Sequence, residues 1–177
     1  GSTDIDGYQI VRVCALQTVG MNAQSLLFLP YALLAALLVW VAIGDFRTRT
    51  IPNWLNGAIA LLGVSTWFTT GMSLWPDVAA QLALATGILV VFAFLFAKGM
   101  MGGGDVKLLA ALALWFPIME MMRLLIIMSL CGGVLTLGYL LHHKFRKLLD
   151  RPEIPYGVAI ALAGLWAIYE RNLNQFV

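Results

Sequence analysis

Two aspartates stand out in a chain of 177 residues that is mostly apolar. Asp45 lies in "IGDFRTRTIPNWLNG", and Asp105 closes the glycine run of "GGGDVK". An ionised carboxylate is costly in apolar surroundings, so each position asks for a reason. Two carboxylates brought together cannot both ionise cheaply, and one keeps a proton. Such a pair offers a base to activate water and an acid to protonate a carbonyl oxygen. That is the chemistry of aspartic proteases, and it needs only the two carboxylates and a water. The same two groups could instead relay a proton or an ion across a membrane. Spacing alone does not show that the two side chains meet, because 60 positions separate them.

The elements that must carry them are apolar helices. The composition is 61% hydrophobic and 11% charged, with mean hydropathy +0.87. Soluble domains run to about 45–50% apolar and about 25% charged, so the expectation is a polytopic all-α membrane protein. A span needs about 20 apolar residues. Six stretches qualify as candidates: Leu26 to Ile43, Trp54 to Thr70, Val78 to Ala97, Asp105 to Pro117, Met122 to Leu141 and Tyr156 to Tyr169. The fourth and sixth are short for a span. With the N-terminus outward, the inner segments carry Arg47, Arg49, Lys98, Lys107, Lys144, Arg146, Lys147 and Arg151. The outer segments carry only Arg12, Arg123 and Arg171. By the positive-inside rule both termini face outward, and both aspartates face the cytosol.

Residues 1–20 lack the basic start and apolar core of a signal peptide. Gly1-Ser2 resembles a protease scar. The expectation is a non-native leader over 1–20 and a single membrane-embedded domain over 21–177, starting at Met21. A net charge of +2 gives no reason to expect nucleic acid. Cys14 and Cys131 are far apart and form no CxxC, so no metal or other cofactor is expected; Cys131 reads as a packing thiol. His142 and His143 flank a basic segment suited to lipid phosphates. The six tryptophans mostly lie near predicted helix ends, as an aromatic belt would, and Met119, Met121 and Met122 read as filler at the outer surface. Gly132, Gly133, Gly138, Gly157 and Gly164 read as close-approach positions between helices.

Pro52 lacks an amide hydrogen and suits the first turn of a new helix. Gly102, Gly103 and Gly104 permit unusual backbone angles and close approaches, and could leave an unpaired backbone edge for an extended peptide. They do not form a phosphate-binding loop, since the required lysine spacing and preceding strand are missing. Asp150 and Glu153, the other inner acids, sit in a solvated basic segment.

"GDFRTRTIPN" and "GGGDVKLLAALALWF" together resemble the two signature segments of the type IV prepilin peptidases, membrane aspartic peptidases of the glycine–any–glycine–aspartate type. "IPYGVAIALAG" resembles the start of their last helix. The likeness runs from Leu26 to Ala167 and implies that Asp45 and Asp105 are the catalytic pair. It marks Pro52, Asn53, Gly102, Gly103, Gly104, Lys107, Pro155 and Gly157 as positions that shape the site or bind substrate. The implied substrate is a prepilin, with a basic leader and an apolar helix, cut at the cytosolic face of a bacterial inner membrane among its lipids. Arg47 and Arg49 suit a basic leader poorly. They are expected to anchor the loop at lipid phosphates or to act on a neighbouring carboxylate. Larger relatives carry an extra cytosolic region with CxxC pairs between their early helices. The stretch from Asp45 to Trp54 has no room for it, so methyl transfer is not expected. The compact form resembles Flp-type prepilin peptidases, with archaeal preflagellin peptidases as near neighbours. The rival readings are a small transporter or relay component and a non-catalytic assembly subunit.

Overall fold

The computed structural model describes residues 28–146 and 156–174, with backbone only for 139–146 and 173–174. Cys14, Pro155 and the expected leader lie outside the described residues. All regular structure within them is helical.

Helix α1 spans Phe28–Thr48 and runs past the apolar stretch to include Asp45. Its buried stripe is Leu34, Leu38, Val41 and Asp45. The steps of four, three and four keep one helical face inward, and Asp45 is the fourth member of that face. The Arg49 N–H still bonds to Asp45 O at 2.9 Å, but Arg49 itself takes a left-handed φ of 52° and the helix stops. The proline at 52 disfavours helix at Ile51, so the turn is compact.

Helix α2 spans Asn53–Thr70. Pro52 stands one place before the helix, where its carbonyl accepts from the N–H groups of Leu55 and Asn56 at 3.1 and 3.4 Å. It is therefore an N-cap and not a first-turn residue as expected. A wide turn over Leu74–Val78 leads into α3, Ala79–Ala97. Gly99 then closes α3 with φ 71°. The Gly99 N–H bonds to Phe96 O at 2.8 Å and the Met100 N–H to Leu95 O at 3.1 Å, a Schellman ending that glycine favours.

Helix α4 is Gly103–Leu112, not Asp105 to Pro117. Two of the three glycines join the helix, and it ends five residues early. Ten residues rise only about 15 Å, half a bilayer core. The chain turns at residues 113–117 because buried side chains serve its carbonyls. The Gln81 amide donates to Ala113 O and Phe116 O, each at 2.8 Å, and Trp67 Nε1 donates to Leu114 O at 3.0 Å. Irregular backbone in an apolar interior needs such partners. Trp67 and Trp115 are thus buried polar anchors and not belt residues, whereas Trp40, Trp54, Trp75 and Trp166 are exposed.

Helix α5 is Ile118–Arg146 and α6 is Tyr156–Asn174, both longer than their apolar stretches predict. His142 and His143 therefore continue a helix. Met121 is fully buried in the core, while Met119 and Met122 are exposed. Cys131 is a half-buried free thiol. An added β-carbon on Gly164 would stand 2.8 Å from Leu38 Cδ1, which brings α6 tight against α1. Among the described residues nothing stands within 4 Å of a β-carbon added to Gly133 or Gly138.

Among the described residues three segments are long and apolar enough to cross a membrane: Phe28–Thr48, Leu74–Ala97 and Ile118–Gly138. Helix α2, with its asparagines and hydroxyls, is not among them, nor is α6. Short α4 sits centrally, packed on α2, α3 and α6, with Leu108, Leu109 and Leu112 fully buried.

Candidate active site

Asp45 and Asp105 come to the same cavity. Both line one cavity of about 260 Å³ with Arg49, Thr50, Ile51, Gly102, Gly103 and Gly104. Both are buried, at 4% and 8% exposure, and they are the only acids buried among the described residues.

Asp45 reaches the cavity from the end of α1 and meets the start of α6. Its Oδ2 accepts the Val158 N–H at 3.1 Å, and the Gly157 N–H also points to it. The first amides of a helix have no partner within the helix, so a carboxylate is a natural one. Arg49 lies within electrostatic reach of Asp45. An added β-carbon on Gly157 would sit 2.7 Å from Asp45 Cγ and 2.9 Å from Ile51 Cδ1.

Asp105 is the third residue of α4, outside the three long apolar segments. Its carboxylate accepts the backbone N–H of Gly102, the residue that precedes the helix. This is the returning half of a capping box. The Gly102 N–H thus faces the Asp105 carboxylate. Burial pushes the Asp105 carboxyl up from 3.8 to about 7, and the Asp45 charge adds to the rise.

The glycines serve close approach. Gly102 is extended with φ −73°, and Gly103 and Gly104 are helical, so none of the three has the left-handed backbone that glycine run suggested. A β-carbon on Gly102 would stand 2.9 Å from Asp105 Oδ2, and one on Gly103 would stand 3.2 Å from the Phe96 ring. One on Gly104 would stand 3.1 Å from Ile51 Cβ. Ile51 fills the space between Gly104 and Gly157.

Asn53 and Lys107 are joined at 2.8 Å but do not line the aspartate cavity. They border a groove of about 410 Å³ between α2, α3 and α4. Thr50, Ile51, Asn56 and Val158 shape the site and are absent from the sequence expectations. Asn56 carried a signal: it lies one turn beyond Asn53, directly ahead of the apolar run 57–64. Among the described residues no three metal-ligating side chains come together.

Curated relatives carry the name prepilin leader peptidase/N-methyltransferase. One from Xanthomonas campestris pv. campestris is 34% identical over 133 residues, covering 71% of this chain and 44% of the relative. One from Aeromonas salmonicida is 31% identical, covering 77% and 48%. One from Pectobacterium carotovorum subsp. carotovorum is 28% identical, covering 94% and 62%. The chain spans about half the length of these relatives. No solved structure matches it. A family model described as the type IV leader peptidase family matches residues 32–137, more than half of the chain and a range that holds both buried aspartates, and the chain therefore belongs to that family.

Proposed function

We propose that this protein is an aspartic endopeptidase that removes the leader of a type IV prepilin, with Asp45 and Asp105 as its catalytic pair. The observation that carries the reading is the convergence of these two buried carboxylates, from helices 60 positions apart, on one cavity. Asp45 has two amide donors and the Arg49 charge nearby, while Asp105 has one donor and faces Asp45. The shared proton therefore resides on Asp105. In the proposed reaction Asp45 takes a proton from water as the water oxygen adds to the scissile carbonyl carbon. Asp105 gives its proton to the carbonyl oxygen. The tetrahedral intermediate then collapses, the C–N bond breaks, and a proton passes to the leaving amine. General acid–base assistance of this kind contributes about 10²–10⁴-fold.

If all six apolar stretches cross the membrane, the charge distribution favours outward termini and a cleavage site at the cytosolic face of an inner membrane. The link between α1 and α2, residues 49–52, is too short for an inserted cytosolic region. That supports a compact, Flp-type peptidase without methyl transfer. The test mixes detergent-solubilised protein with a prepilin and follows a leader-sized mobility shift. Asp45→Asn and Asp105→Asn should each abolish cleavage, and the double variant should be no worse than either single one. Near-wild-type turnover in either single variant would sink the reading.

A further inference from the structure

Asn56 lies on α2 and is only 5% exposed. Its Nδ2 donates to Gly104 O at 3.2 Å, across 48 positions. Its Oδ1 is, among the described residues, the one buried side-chain nitrogen or oxygen without a hydrogen-bond partner. These two facts oppose each other. The donor ties α2 to the peptide unit that joins Gly104 to Asp105. The orphaned acceptor disfavours the fold, because a buried amide oxygen has lost its water. A leucine of similar size would remove that cost. Stability alone therefore gives no reason for an asparagine here.

We propose that Asn56 is a positioning residue, which fixes the Gly104–Asp105 peptide so that the Asp105 carboxyl faces Asp45. This rests on the hydrolytic reading above. The turn before Asp105 has only glycines at 102, 103 and 104, whose backbone has more freedom than that of other residues. Ile51 stops Gly104 from one side by contact, and Asn56 holds its carbonyl by a directed bond. A displacement of about 1 Å in a reacting group can cost about 10²-fold in rate, so a second anchor on this peptide matters for turnover.

The test compares wild type, Asn56→Leu and Asp105→Asn, purified in detergent, on one prepilin substrate. Asn56→Leu should melt at or above the wild-type temperature and keep KM within about twofold, while kcat falls at least about tenfold. Its pH–rate profile should also move, because Asp105 no longer faces Asp45 at a fixed distance. Wild-type kcat in Asn56→Leu overturns the proposal, and so does a kcat loss matched by a lower melting temperature. If the leucine does not fold, Asn56→Ser replaces it, since its hydroxyl cannot reach Gly104 O, and the same readings decide. Activity retained by Asp105→Asn would instead defeat the hydrolytic reading. An inactive Asp105→Asn beside a fully active Asn56→Leu defeats only the positioning role.

Discussion

Gly157 and Asp45 are in contact through the space that a side chain on Gly157 would need. A β-carbon there would stand 2.7 Å from Asp45 Cγ and 2.8 Å from its Oδ2. In an ordinary helix, replacing glycine by alanine stabilises by about 0.5–1 kcal/mol. Here Asp45 must swing away from the α6 amides. Gly157→Ala should keep its helical circular dichroism and lose cleavage by about 10²-fold. Wild-type turnover in that variant would mean that the Asp45 geometry is not needed.

Gly104 and Ile51 make the next contact, with 3.1 Å to Ile51 Cβ and 3.5 Å to its backbone N and O. The backbone of Gly104 is helical, so any residue can adopt its angles. The cost of substitution should therefore scale with size. Gly104→Ala should lose part of the cleavage rate, and Gly104→Val nearly all of it. Equal losses in the two variants would point to a backbone requirement instead, and kcat measured on both decides.

Asp105 should leave a signature in stability against pH. Its folded-state carboxyl is raised from 3.8 to about 7, so between these values the folded protein binds more protons than the unfolded chain. Stability is then fully present below about 4, declines as pH rises, and levels off above about 7. Melting in detergent from pH 4 to pH 8 should show this slope, and Asp105→Asn should flatten it. In the wild type, cleavage should also fall as pH rises through about 7, as the acid loses its proton. An unchanged melting slope in Asp105→Asn would assign the titration to another group.

Gln81 holds the end of α4 rather than the site. Gln81→Leu would orphan Ala113 O and Phe116 O, and each buried acceptor left alone costs about 1–3 kcal/mol. The melting temperature in detergent should fall clearly. Trp67→Phe should act in the same direction through Leu114 O, and more weakly because one carbonyl is affected. A melting temperature unchanged by both would mean that water serves these carbonyls.

The apolar runs alone announce the helices, and Asp45 is visible as an acid at the end of one of them. That run is apolar on every side, so the inward face of Leu34, Leu38, Val41 and Asp45 is decided only by packing. The motif segments around Asp45 and Asp105 were equally legible, as was the closeness of Gly157 to the site. Other features needed the folded chain. The end of α4 at Leu112 depends on Gln81 and Trp67, which lie 32 and 47 positions from the carbonyls they serve. The use of Gly104 depends on where Ile51 packs, and not on its own backbone angles. The bond from Asn56 to Gly104 and the bond from Val158 to Asp45 cross 48 and 113 positions. An apolar run tells that a helix forms there. Which helix it meets there is set by the packing of all of them at once, and that packing brings the two carboxylates to one cavity.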